Sequence, residues 1–440
     1  MLTAQRESVS AESLVEIISE ARRRSDALFE IVRADAMYDR PIPERHRIVF
    51  YIGHLEAFDW NLLHDTLELG TLHPEFDRLF AFGIDPVGGG LPTDQPSDWP
   101  SLDRVREYVQ EVRGLLDERL SGDIGERQRD GFSIDTLLNV AIEHRLMHVE
   151  TLAYMLHQLP LDRKIPQVAF PPILTSPVRH SMCKIPAGIA HLGLARESGD
   201  FGWDNELEAH ALHVPEFEID RYMVTNGQFL DFINDGGYEN RDLWSDVDWS
   251  WKTANGIASP AFWRIKDEVR LYRTMFKEVA LPIDWPVYVS HAEASAYARW
   301  AGKALPTEEQ WQRAAYGSSD GAQQFYPWGN EDPAPNRGNF DFTSWDPVPV
   351  NAHPHGGSEF GVQGMLGNGW EWTATVFGPF PGFTPFPFYR GYSADFFDGK
   401  HFVIKGGSPR TAACMLRPTF RNWFQSHYQY VYAGVRCVNG

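Results

Sequence analysis

The chain has 440 residues, 43% of them hydrophobic and 13% aromatic, and carries a formal charge of −20. That length allows two or three domains with cores of their own, and the composition is that of a folded chain. The acidic balance argues against nucleic acid or an anionic membrane as partner. Cys183, Cys414 and Cys437 are the whole cysteine complement, too few for a disulfide framework or a paired-cysteine metal knuckle. No segment offers the ~20 apolar residues a bilayer span needs, and the N-terminus lacks a signal-peptide core. The expectation is a soluble, cytoplasmic protein with neither a membrane nor a nucleic-acid partner.

Helical spacing predicts a first helix over 10–32, through Leu14, Ile17, Ala21, Leu28 and Ile31. A second is predicted over 44–69, through Ile48, Tyr51, Leu55, Phe58 and Leu62, and a third over 102–120, through Val105, Val109, Val112, Leu115 and Leu116. The fourth, 133–159, opens on a Ser133 cap and stops at Pro160. Four amphipathic helices predict a bundle, an architecture whose interior commonly houses metal sites. The connection over 73–100 is long and rich in Gly and Pro (Gly88-Gly89-Gly90-Leu91-Pro92), as expected of a loop lying over a site. Residues 161–180, with Pro166, Pro171, Pro172 and Pro177, read as an extended linker. It separates a domain over 1–160 from another over 181–440. In the latter, strands are predicted over 207–214 and 217–220 and helices over 226–234 and 291–300, among irregular segments pinned by buried Trp and Tyr.

The spacing of His144 and His148 places two imidazoles on one face of the fourth helix. Such a pair can grip one divalent metal. His54, in the second helix, would complete a three-histidine site with open positions, which suits catalysis better than scaffolding. In a chain with 16 His the pair alone is more often an ordinary surface pair than a metal site.

The second half carries a series of phrases in order: Ile185-Pro186-Ala187-Gly188, Phe201-Gly202-Trp203-Asp204-Asn205-Glu206, Val224-Thr225-Asn226, Leu305-Pro306-Thr307-Glu308-Glu309-Gln310-Trp311, Pro327-Trp328-Gly329-Asn330, Gly367-Asn368-Gly369-Trp370-Glu371-Trp372-Thr373 and Lys405-Gly406-Gly407-Ser408. They resemble the formylglycine-generating-enzyme domain, a C-type-lectin-like fold, in which Trp and Asn side chains tie loops together. That enzyme needs a cysteine pair after Gly-Gly-Ser. Here Cys414 alone follows at short range, so the activity is not expected, and Cys414 reads as a small buried side chain. A bundle bearing one His and an HxxxHxE run, joined to such a domain, resembles the ergothioneine-biosynthesis sulfoxide synthases, whose bundle is DinB-like. The implied fold is α+β in two domains. The resemblance implies that His54, His144 and His148 bind non-heme Fe(II), with Glu150 closing the motif, O2 as co-substrate and hercynine as substrate. It also implies that Asn422, Trp423 and Phe424 line the hercynine pocket, the aromatic pair facing a quaternary ammonium and Asn422 the carboxylate. The alternative is that both aromatics belong to the core.

Three departures bear on the second substrate. Met147 stands where the family commonly has a Gln that helps hold the substrate. The loop from Phe80 to Asp85 has no tyrosine, so the proton donor moves to Tyr389 or Tyr392, with Tyr428 and Tyr430 weaker choices and aromatic packing an equal reading. Arg78 stands isolated where some members use arginines for glutamyl-cysteine. These departures lean toward the selenoneine synthase branch, with a selenosugar donor and a selenoxide product. A thiol donor (γ-glutamylcysteine or cysteine), a Zn-dependent thiol transferase and a non-catalytic lectin-like binding module are the alternatives. No nucleophile elbow, P-loop or dinucleotide fingerprint is present.

Overall fold

The computed structural model describes residues 11–81, 91–122, 124–167 and 178–439. They fall into two compact units, one holding residues 11–167 and the other 178–439.

The first unit is helical: α1 (Ala11–Glu30), α2 (Ile48–Leu63), α3 (Pro74–Leu79), α4 (Leu102–Leu120) and α5 (Ile134–Gln158). α1 packs on α5, and α2 packs on both α4 and α5. α4 buries Val105, Tyr108, Val112, Leu116 and Leu120, one stripe at helical spacing. Ser101 caps α4 and Ser133 caps α5, each hydroxyl accepting a backbone N–H three residues on. α2 is buried almost all round, which makes it the central helix. It is shorter than the predicted 44–69. Residues before Ile48 form turns, and beyond Leu63 the chain reverses through Glu68, whose φ of 58° lies in the left-handed region. The long connection is also not wholly irregular, since α3 starts there on Pro74, a residue pre-set for a first helical turn. A hairpin of β1 (Gln128–Arg129) and β2 (Phe132–Ser133) feeds α5. It turns on Asp130-Gly131, both at positive φ, the signature of a two-residue hairpin turn. In the expected linker, residues 161–163 coil into a helical turn and Lys164 bridges to Val32. Residues 82–90 and 168–177, which include the glycine run and three of the linker prolines, lie outside the described residues.

The second unit comprises β3 (Met182–Ile185), β4 (Gly188–Leu192), β5 (His210–Val214), β6 (Phe217–Asp220), α6 (Asn226–Asn234), α7 (Asp246–Ala254), β7 (Trp263–Lys266), β8 (Val269–Arg273), β9 (Glu278–Ala280), α8 (His291–Trp300), α9 (Glu308–Tyr316), β10 (Gly369–Val376), β11 (His401–Gly407), β12 (Asn422–Gln425), β13 (Ala433–Gly434) and β14 (Val438–Asn439). The central sheet runs β12-β11-β10-β13, with only the last pair parallel. Smaller sheets are β14-β6-β3, β4-β5 and β7-β8-β9. The strand predicted over 207–214 begins only at His210, because residues 204–206 form a helical turn that closes on Leu207.

The expected tying of loops by Trp and Asn is present. Trp372 Nε1 donates to the Val289 carbonyl, Trp244 Nε1 to Gly237 and Trp328 Nε1 to Glu331. Asn368 bridges Val348 through both amide atoms. At the centre, Arg436 and Glu371, both 0% exposed, form a two-pronged pair at 2.7 and 2.9 Å. Trp311 Nε1 donates to the same carboxylate at 2.7 Å, and Arg436 also donates to the carbonyls of Asp220, Arg221 and Gln363. Complete pairing of this kind is what a buried charge requires. Among the described residues, no helix is long and apolar enough to cross a membrane.

Candidate metal centre

α2 carries His54, and α5 carries His144 and His148 one turn apart; all three are buried. Residues four apart on α2 support the rings. Phe50 stacks on His54 at 4.8 Å between centroids, and Phe58 stacks on His144 at 3.4 Å. His54 Nδ1 lies 2.6 Å from the Phe80 carbonyl. That oxygen can only accept, so Nδ1 carries the proton, and in the neutral ring Nε2 presents a lone pair.

The three Nε2 atoms converge. His148 Nε2 is 3.2 Å from His54 Nε2 and 3.2 Å from His144 Nε2. Burial pushes the His54 imidazole down to about 4. Burial first, then the neighbouring histidines, drives His144 well below its ordinary value, and burial with His54 and nearby arginines does the same to His148. All three are therefore neutral near pH 7, the form that binds metal. Hydrogen bonding among the rings does not account for the trio, because one proton on His148 Nε2 can serve only one of two neighbours. A metal with bonds of about 2.1 Å, held between right-angle and tetrahedral geometry, would separate its nitrogens by roughly 3.0–3.4 Å. The two separations from His148 fit such an ion, and the ligand atoms of all three histidines lie within 4.8 Å of one another.

Met147, half-buried, stands between the two histidines of α5, and Glu150 is buried two residues beyond them. Arg78 is exposed, and its Nε donates to the Pro74 carbonyl in its own helix. In the second unit, Asn422, Trp423 and Phe424 are half-buried on β12, the edge strand of the central sheet. Trp423 stacks on Phe377 at 4.1 Å and meets Tyr392 edge-on at 5.4 Å. Tyr392 stacks on Trp203 at 3.9 Å, and Tyr389 lies 5.5 Å from Tyr392. Phe424 stacks instead on Tyr428, which touches Tyr430. The structure thus brings Trp423, Tyr389 and Tyr392 into one aromatic cluster and sets Phe424 in another. Cys414, expected to be buried, is exposed on a helical turn over 413–415. A lone thiol there has no core to fill.

Two supports of the histidines were not read from sequence: the Phe80 carbonyl, and Arg145 with Glu56 and Asp59 beside the trio. The signal for the second was an arginine lying between the two histidines of the α5 pair.

The model of the sulfatase-modifying factor enzyme 1-like domain matches residues 173–440, and that of the DinB superfamily matches residues 17–152. The two-domain α+β reading, a DinB-like bundle followed by a formylglycine-generating-enzyme-like domain, therefore holds. A hercynine oxygenase of Mycolicibacterium smegmatis is 34% identical over 444 residues, covering 97% of this chain and 99% of that one. A hercynine oxygenase of Mycobacterium tuberculosis is 44% identical over 236 residues, 53% of this chain and 55% of that one. Ergothioneine biosynthesis protein 1 of Neurospora crassa is 26% identical over 495 residues, 93% of this chain and 55% of the fungal protein. The aligned part is thus about half the length of each of the last two relatives.

Proposed function

Because the chain belongs to the ergothioneine-biosynthesis sulfoxide synthase family, we propose that it is a non-heme Fe(II), O2-dependent enzyme acting on hercynine, in which a chalcogen is joined to an imidazole carbon. The convergence of three buried, neutral Nε2 atoms carries this reading. Fe(II) held by His54, His144 and His148 would supply O2 redox chemistry and open positions for substrate. The balance is simple. The imidazole C–H and the donor's Se–H or S–H are lost, one oxygen atom ends on the chalcogen, and the other leaves as water with both hydrogens.

The remaining work falls to side chains. Asn422 Oδ1 already accepts from the Trp423 N–H at 2.8 Å, which leaves its amide N–H2 as a donor suited to the hercynine carboxylate. Trp423 and Phe424 suit the trimethylammonium, since cation–π attraction needs no hydrogen bond. Tyr392, backed by Trp203, and Tyr389 are our choice for the proton donor. Met147 takes part in substrate binding as an uncharged, polarisable neighbour.

For the donor we favour a selenosugar, giving a selenoxide. Met147, the tyrosine-free 80–85 segment and Arg78, engaged by its own helix, suit a less anionic molecule than γ-glutamylcysteine. A thiol donor is the second reading, favoured by relatives that carry ergothioneine biosynthesis in their name. Three free cysteines fit a reducing cytoplasm.

The test is O2 uptake by anaerobically Fe(II)-loaded protein given hercynine with a selenosugar or with γ-glutamylcysteine, products read by mass. Uptake coupled to a selenium adduct supports the full reading, and an adduct with the thiol alone moves it to sulfur. Zinc-dependent, O2-independent transfer would replace it with a thiol transferase. Hercynine binding without turnover under any metal would leave a binding module.

A further inference from the structure

We propose that Arg145 is a positioning residue for the metal centre, its guanidinium locking the His54 segment of α2 against the histidine-bearing turn of α5. This rests on the reading that the three histidines hold a metal. Arg145 stands between His144 and His148 in sequence and is 1% exposed. Its Nη2 donates to Glu56 Oε2 at 2.9 Å, to Asp59 Oδ2 at 2.6 Å and to the Leu55 carbonyl at 3.0 Å. Its Nη1 donates to Glu56 Oε1 at 3.0 Å and to Ser25 Oγ at 3.3 Å. Four of these five bonds end on residues 55–59, the turn that directly follows His54.

Stability alone gives no reason for this arrangement, because well-packed apolar side chains serve at least as well as a buried ion pair. The planar fork adds a fixed distance and a fixed roll between two helices. Side-chain tips lie roughly 5–6 Å from a helix axis, so a 10° roll of α5 would move the Nε2 atoms by ~1 Å. Metal–ligand distances hold to about 0.2 Å. A roll that an apolar interface would absorb would therefore spoil the metal site. Arg113 supplies the internal comparison. It donates to the same Glu56 at 2.7 and 2.9 Å and to Asp26 at 2.7 and 2.8 Å, joining α4 to α2 and α1 with no hydrogen bond to α5 among the described residues.

The experiment uses the full chain in metal-free form, with Co(II) as the probe. Affinity is read by titration, coordination by the visible absorption band, and folding by circular dichroism and urea unfolding. Arg145→Lys keeps the charge and loses the fork. It is expected to fold, to bind Co(II) about 10–100-fold more weakly and to show a shifted band. Arg145→Met is expected to lose at least as much. Arg113→Lys should lose stability yet keep the wild-type band and an affinity within about twofold, by the same outer-shell reasoning. If Arg145→Lys does not fold, Asp59→Asn, which weakens one arm of the fork, should show a smaller loss in the same direction. Arg145 variants with the wild-type affinity and band overturn the proposal while the metal reading stands. So does a loss that simply tracks stability in the Arg113 variant as well. A wild type that binds no Co(II) overturns the metal reading, and this proposal with it.

Discussion

Gly53→Ala sets two opposed effects against each other at the residue before His54. In a helix interior, alanine is favoured over glycine by about 1 kcal/mol, so propensity alone predicts a gain. The structure predicts a loss. A Cβ at position 53 would lie 2.6 Å from three atoms of the Phe80 ring, against the 3.4–4 Å of ordinary contact. Phe80 is fully buried among Phe50, Phe76, Trp99 and Tyr108, so the ring has nowhere to retreat without moving its backbone. Overpacking of this kind costs about 1–3 kcal/mol. The displaced backbone includes the carbonyl that accepts from His54 Nδ1, and leaving that buried N–H unpaired costs about 1–3 kcal/mol more. Set against the propensity gain, the net loss is about 1–5 kcal/mol, read by urea unfolding of the metal-free protein. Metal affinity should fall about 10–100-fold, since the tautomer and angle of His54 depend on that carbonyl. A variant about 1 kcal/mol more stable than wild type, with unchanged metal affinity, would refute the reasoning.

Three further outcomes are expected. His148→Ala should bind metal weakly or not at all and lose turnover while its circular dichroism stays native; full activity without metal would sink the site. Burial pushes Asp204 up to about 6 from an ordinary 3.8, against the bonds from Ser393 and the Phe386 N–H that favour its charge. A folded-state value above the unfolded one means that its stabilising contribution is complete below 3.8 and is lost as pH rises through about 6. Wild-type stability measured relative to Asp204→Asn should therefore decline across that window and be level on either side; a level difference throughout would refute it. Finally, of the 3 cysteines only Cys414 is exposed, and burial raises the thiols of Cys183 and Cys437. One thiol should react with a disulfide reagent in the native protein and the other two only after unfolding.

Helix ends were legible where local hydrogen bonds write them. The predicted ends of α6 and α8 coincide with the structure. Thr225 with Gln228, and Ser290 with Glu293, close capping boxes within four residues. The same device opens α9 at Thr307 and Gln310, where the segment was read as a family phrase and not as a helix start. The His144–His148 pairing was likewise local, because helical geometry alone puts those residues on one face. Periodicity also gave Val105, Val112 and Leu116 of the buried stripe of α4, which Tyr108 and Leu120 complete in place of the half-buried Val109 and Leu115, but it overextended α2, whose limits are set by turns and a left-handed residue. What the sequence by itself determined, then, is the four long helices of the bundle, the α5 pair of the metal site and, through ordered motifs, the family. Tertiary structure decided the rest. His54 meets His148 across 94 positions, Arg145 meets Glu56 across 89, and Arg436 meets Glu371 across 65. Caps and helical stripes act within about four residues and can be read along a line. A buried charge or a converging lone pair is satisfied only by whatever the packed helices and strands bring to it.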